Sequence, residues 1–118
     1  MARLRVLAAA LAMMLAIVAT AAYGQMNPLR QLALTTVDIE LLTATARRLY
    51  EAGRIGAKEA WANPDSGNSG TVELLETFER EGLPCRRVEH VVNIARDAVP
   101  KRVVLASCRA PDGRWLLV

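Results

Sequence analysis

Cys85-Arg-Arg-Val-Glu-His-Val-Val-Asn-Ile-Ala-Arg-Asp-Ala-Val-Pro-Lys-Arg-Val-Val-Leu-Ala-Ser-Cys-Arg-Ala110 reads as two strands, Cys85 to Ala95 and Lys101 to Ala110, joined by a turn. Facing residues of an antiparallel hairpin keep a constant sum of positions. A turn centred on Arg96 and Asp97 therefore sets Cys85 opposite Cys108 and Val88 opposite Leu105. The same register puts His90, Val92, Ile94 and Val103 on one apolar face, and Arg87, Glu89 and Arg102 on the wetter face that carries the cysteines. One register satisfies both the sulfur pairing and the alternation, so each supports the other. A Cys85–Cys108 bridge would restrain the unfolded chain by roughly 3 kcal/mol in the loop-entropy account.

Upstream, Thr35-Thr-Val-Asp38 has the spacing of a helix cap with an acidic residue in the first turn. Ile39, Leu42, Ala46 and Leu49 then form one apolar stripe at helical intervals, and Gly53 is placed to end the helix. Beyond Gly56 the texture changes to short segments between turn formers. Ala57 to Ala62 reads as a strand, and Asn63 to Gly70 as a loop. Thr71 to Phe78 is a strand with Val72, Leu74, Glu76 and Phe78 on one side, where Glu76 spoils the alternation. Glu79 to Pro84 turns the chain, Pro111-Asp112-Gly113 is a tight turn, and Arg114 to Val118 is the last strand. The expected fold is α+β: one amphipathic helix packed on a four- to five-stranded antiparallel meander.

The first residues follow a different grammar. Arg3 and Arg5 precede an uncharged run from Val6 to Val18, and small residues follow to Gly24. This is the pattern of a signal peptide over 1–24, cleaved after Ala21 or Gly24. A retained membrane anchor is the competing reading. Residues 25–34 then form a flexible lead-in and 35–118 the domain. Without the leader, the overall 53% apolar content falls to about 45%, ordinary for a globular domain. The 15 basic and 12 acidic residues also come near balance once Arg3 and Arg5 are set aside. That leaves no basic cluster for a nucleic acid, and no stable membrane insertion is expected after cleavage. The first Cys is Cys85, so no lipidated cysteine follows the leader. Two cysteines in an exported chain read first as a disulfide.

Four pieces carry a resemblance: Trp61-Ala-Asn63-Pro64-Asp-Ser-Gly67-Asn68-Ser-Gly70-Thr-Val72, Cys85-Arg86, Cys108-Arg109, and Pro111-Asp112-Gly113-Arg-Trp115. Together, over residues 57–118, they resemble the C-terminal domain of the Rickettsia-type 17 kDa surface antigen family of Gram-negative bacteria. The resemblance implies an exported envelope protein, often attached to the outer membrane, without a known catalytic activity. Family members commonly carry a lipidated N-terminal Cys and a glycine-rich membrane-associated stretch, and this sequence has neither. The expected location is the periplasm, with outer-membrane association left open, and the expected partner is an envelope protein or other envelope component.

No catalytic, cofactor or metal site is readable. The Asn63–Gly70 loop is rich in side-chain oxygen, and Asp65, Asn68 and Ser69 are candidate cation ligands. One carboxylate is few for calcium, and the same residue types stabilise turns through their own backbone. Trp61 and Trp115 read as core anchors before ligand platforms. His90 has no metal or nucleophile constellation around it. Arg86 and Arg109 fall on neighbouring positions of one face, where paired arginines are usually solvated. Two function classes remain: a noncatalytic structural or protein-binding module, and a periplasmic inhibitor or small enzyme acting on exported substrates. A projecting rigid loop or a concave pocket would favour the second.

Overall fold

A capping box starts helix α1 (Thr36–Ala52): the Thr35 hydroxyl accepts from the Asp38 amide at 3.1 Å, and the Asp38 carboxylate accepts from the Thr35 amide at 2.8 Å. At its far end Gly53 adopts φ +64° and donates to the Leu49 carbonyl, a left-handed cap that suits glycine. The computed structural model describes residues 27–118. The expected signal peptide lies outside the described residues.

Five strands follow in a plain meander, each pairing antiparallel with the next: β1 (Lys58–Ala62), β2 (Ser69–Arg80), β3 (Leu83–Asn93), β4 (Lys101–Arg109) and β5 (Trp115–Leu117). This is the expected α+β architecture, with α1 packed on one face of the sheet. The hairpin register is also as read: Cys85 faces Cys108, Val88 faces Leu105, and His90 faces Val103. Arg86 faces Ser107 in the same ladder.

Three local features differ from the sequence reading. The expected flexible lead-in holds a 3-10 turn at Pro28–Gln31, capped by the Asn27 side chain on the Leu29 amide. It is held because Leu29 enters the core and Leu32 and Leu34 pack against it. Between β2 and β3 the turn shrinks to Glu81 and Gly82, both at positive φ, so the two strands are longer than expected. Most informative is β2, where a bulge between Leu74 and Glu76 shifts the register. The extra residue turns Glu76 and Phe78 to the open face, while Val72 and Leu74 remain on the helix face. The anomalous Glu76 then meets Arg87 at 2.9 Å.

The core lies between α1 and the sheet. Leu42, Ala46, Leu49 and Tyr50 of the helix meet Trp61, Val72, Leu74, Val88 and Val92 of the strands, with Val103, Leu105 and Trp115 packed at the margin. Ile39, read as part of the helical stripe, is only half-buried. The stripe is instead headed by Asp38, one residue earlier and fully buried.

Cys85 and Cys108 are disulfide-bonded with Cα atoms 4.0 Å apart. Their face is open and charged, with Arg102 on Glu89 at 3.1 Å, yet Cys85 has no exposed surface. Phe78 of β2 and Leu116 of β5 flank the pair across the ladder. Replacing both cysteines with alanine is expected to lower unfolding free energy by about 3 kcal/mol. Urea titration of the oxidised parent beside the double variant measures this.

Candidate functional site

The loop from Asn63 to Asn68 is shaped by its own backbone and side chains. The Asn63 amide donates to the Asn68 carbonyl at 2.9 Å, and the Gly67 amide returns to the Asn63 carbonyl at 2.9 Å. The Asn63 side-chain oxygen accepts from the Asp65 amide, and the Ser66 hydroxyl accepts from the Asn68 amide, both at 3.1 Å. These are the local turn bonds expected of Asn and Ser.

What remains of their hydrogen-bonding capacity converges on one carboxylate. Asp38 Oδ1 accepts from Asn63 Nδ2 at 2.8 Å and from the Ser66 hydroxyl at 2.7 Å. Its Oδ2 accepts from Asn68 Nδ2 at 2.8 Å and from the Thr35 amide at 2.8 Å. Asn68 also reaches the Ala33 carbonyl at 3.3 Å and accepts from the Ala95 amide at 2.9 Å. A single side chain thus joins the lead-in, the helix start and the end of β3. Burial acts to raise the Asp38 carboxyl, but the Ser66, Thr35, Asn68 and Asn63 donors outweigh it and hold it well below the usual carboxylate range. The positive end of the α1 dipole favours the same ionised form.

This clasp uses the oxygen-rich loop differently from a cation site. Asp65 stays exposed, and Asn68 is committed to Asp38, Ala33 and Ala95. Pro64, Asp65 and Gly67 form the exposed tip, whereas Asn63 and Asn68 are buried. Among the described residues, no three His, Cys, Asp or Glu side chains group to hold a metal ion.

Trp61 is buried over Gly70, its partner across the β1–β2 ladder. A Cβ at position 70 would lie 2.6 Å from the Val91 carbonyl and 2.7 Å from the Trp61 ring nitrogen. No side chain fits between them. Gly70→Ala is expected to cost about 1–3 kcal/mol through overpacking, read as a shifted urea midpoint with unchanged slope.

At the other end of the helix, Arg86 and Arg109 hold the expected neighbouring positions in the ladder but differ in surroundings. Arg86 turns under α1, donates to the Tyr50 carbonyl at 3.2 Å and to the Cys85 carbonyl at 3.0 Å, and lies 5.4 Å from the Trp115 ring centre. It therefore satisfies a free carbonyl in the helix's last turn. Trp115 stacks against Tyr50 at 5.0 Å and donates to Glu51 at 3.1 Å. Arg109 is exposed and faces Trp115 across the β4–β5 ladder. Asp112 shapes the preceding turn by accepting from the Arg114 amide at 3.0 Å, with Gly113 at φ +89°.

His90 sits on the helix face with 1% of its surface exposed, and its Nδ1 has no partner among the described residues. Burial lowers its pKa to about 4. A His depressed from about 6.5 contributes stability that is complete above pH 6.5 and lost as pH falls toward 4, roughly 3 kcal/mol for a shift of this size. His90→Gln is expected to flatten that part of the stability–pH curve, measurable by urea titration at pH 7 and pH 4.5.

Sequence reading missed Asp38 as the centre of the clasp. The available signal was its spacing: Asp38, Leu42, Ala46 and Leu49 follow the helical period as well as the apolar stripe led by Ile39 does.

The molecule is a disulfide-stapled α+β domain whose Trp-x-Asn-Pro-x-Ser-Gly-Asn segment is clasped to a helix start. The chain belongs to the 17 kDa outer membrane surface antigen family, whose model matches residues 48–116. It is 33% identical over 82 residues to the 17 kDa surface antigen of Rickettsia bellii (strain RML369-C), an alignment covering 69% of this chain and 50% of that protein. The corresponding Rickettsia prowazekii (strain Madrid E) antigen is 34% identical and the Rickettsia rickettsii antigen 32%, each with the same coverage of 69% and 50%. The chain spans about half the length of the curated relatives it matches. No solved structure matches it.

Proposed function

We propose that this chain is an exported cell-envelope protein acting as a noncatalytic structural or protein-binding module, in the periplasm or associated with the outer membrane. Membership of the surface antigen family is the observation that carries this reading. The use of the family-motif residues supports it. Trp61, Asn63, Asn68 and Gly70 serve packing and the Asp38 clasp, while Arg86 serves the helix end. The inhibitor reading stays as the second one, since the inward amides of Asn63 and Asn68 hold the loop rigid while Pro64, Asp65 and Gly67 are exposed at its tip. The contact surface we assign is the sheet face opposite α1, where Val104 and Leu116 are 49% and 45% exposed.

Fractionation of cells expressing the tagged full chain, with thiol alkylation before lysis, tests the location. Oxidised protein in the osmotic-shock fraction or with outer membranes is expected; reduced protein in the cytosol would contradict the proposal. A photo-crosslinking residue at Val104 should give a discrete adduct in intact cells. An adduct from Pro64 alone would instead favour the loop-directed alternative.

A further inference from the structure

Strand β4 is nine residues long, but β5 pairs only with Ser107–Arg109, and Val118 adds one bond to the Ala106 carbonyl at 3.1 Å. That bond shows that the even-numbered residues of β4 turn their backbone groups outward. The amides and carbonyls of Arg102 and Val104 therefore face an open lane beyond Val118, where no backbone pairs with them among the described residues. Five of the eight large apolar side chains exposed among the described residues, Val99, Val104, Leu116, Leu117 and Val118, lie on β4, β5 and their flanking turns. The charge of this side is also distinct. Residues 94–118 carry five basic and two acidic residues, whereas 27–93 carry eight basic and ten acidic. Glu89 of β3 holds Arg102 at 3.1 Å, yet the Arg102 side chain stays 67% exposed. The opposite edge, β1, offers only Ala60 and Ala62 as exposed apolar residues and balances Lys58 with Glu59.

We propose that the outer edge of β4 from Lys101 to Leu105 takes up an extended segment of a protein partner as an added antiparallel strand. This rests on the protein-binding reading and names how the partner is held. An unpaired strand edge supplies main-chain bonds to such a segment, and alternating side-chain sites give it specificity. On the helix side the segment meets Val103 and Leu105, which are half-buried and call for apolar residues. Beside Lys101 and Arg102 it calls for acidic residues, because this side of the sheet is net positive. A second copy of the chain is the poorer occupant, since pairing β4 with β4 would gather two Lys101 and two Arg102 side chains on one lane.

The probe is the peptide acetyl-Ser-Val-Thr-Val-Glu-Glu-Ser-amide, whose valines face Leu105 and Val103, its threonine Val104, and its glutamates Arg102 and Lys101. Binding to the purified, oxidised chain is read from the amide shifts and hydrogen exchange of Arg102 and Val104. In the free chain both amides should exchange as solvent-facing groups. The glutamate peptide should protect them saturably, about tenfold more tightly than a lysine-for-glutamate peptide or one with proline in place of threonine. Val104→Pro removes an outward donor while sparing the β3 ladder, and should abolish protection at Arg102 with circular dichroism unchanged. Arg102→Glu should weaken the glutamate peptide about tenfold and favour the lysine one. Protected amides in the free chain would mean that its own residues already fill the lane, and would overturn the proposal. So would concentration-dependent dimers through β4, or equal affinity for the glutamate and lysine peptides. The absence of a saturable response up to about 5 mM, a weak limit on the affinity scale, would overturn it too. A chain found in the wrong compartment would still bind the peptide, so failure here and failure of the envelope reading are separate results.

Discussion

Replacing Asp38 with alanine is expected to remove about 3–5 kcal/mol of stability at pH 7, the loss typical of breaking a buried charged network. The substitution strips the capping box of its carboxylate and leaves Asn63 Nδ2, the Ser66 hydroxyl and Asn68 Nδ2 without their shared acceptor. Each stranded donor in a buried setting carries a desolvation penalty of about 1–3 kcal/mol. The domain's whole stability is of order 5–15 kcal/mol, so the variant should melt far below the parent in a thermal scan. Acid gives an independent reading of the same residue. A carboxyl held low in the folded state contributes fully above its unfolded pKa of about 3.9 and loses that contribution as pH falls below it. Asp38→Asn should therefore be less stable than the parent at pH 7 and show a smaller further loss between pH 4 and pH 2.

Truncating Leu49 to alanine should cost about 2–5 kcal/mol, the range for a leucine removed from a packed core. Leu49 is 3% exposed and belongs to the cluster that joins α1 to Val72, Leu74 and Val88. A five-stranded meander cannot cover its own apolar face, so the helix is the lid on that core. If α1 were instead a surface for partners or membrane, the substitution would leave the melting temperature unchanged and weaken association. Thermal melts of Leu49→Ala and the parent at equal concentration separate the two.

The hairpin was legible because two independent patterns demanded one register: the cysteine pair and the alternation of Val88, His90 and Val92 with charged neighbours. The helix was legible from its apolar period and its Thr35 and Gly53 ends. Glu76 announced a disturbance in β2, but alternation alone does not say whether a buried charge or an inserted residue is responsible. The clasp was hidden for a different reason. Asn63, Ser66 and Asn68 satisfy ordinary turn chemistry locally, and their common acceptor lies at least 25 positions away on another element. Local spacing cannot reveal such a convergence. The lead-in was misjudged because Pro28 draws attention to the break, while Leu29 supplies the anchor.

The Trp61–Gly70 motif segment is clasped to the helix start through Asp38. A double-mutant cycle of Asp38→Ala and Asn68→Ala, read by urea unfolding at pH 7, measures that coupling. Their 2.8 Å hydrogen bond predicts a strongly non-additive pair, with a coupling energy of about 1–3 kcal/mol. Additive losses, within about 0.5 kcal/mol, would mean that the loop and the helix start are held independently and would contradict the clasp.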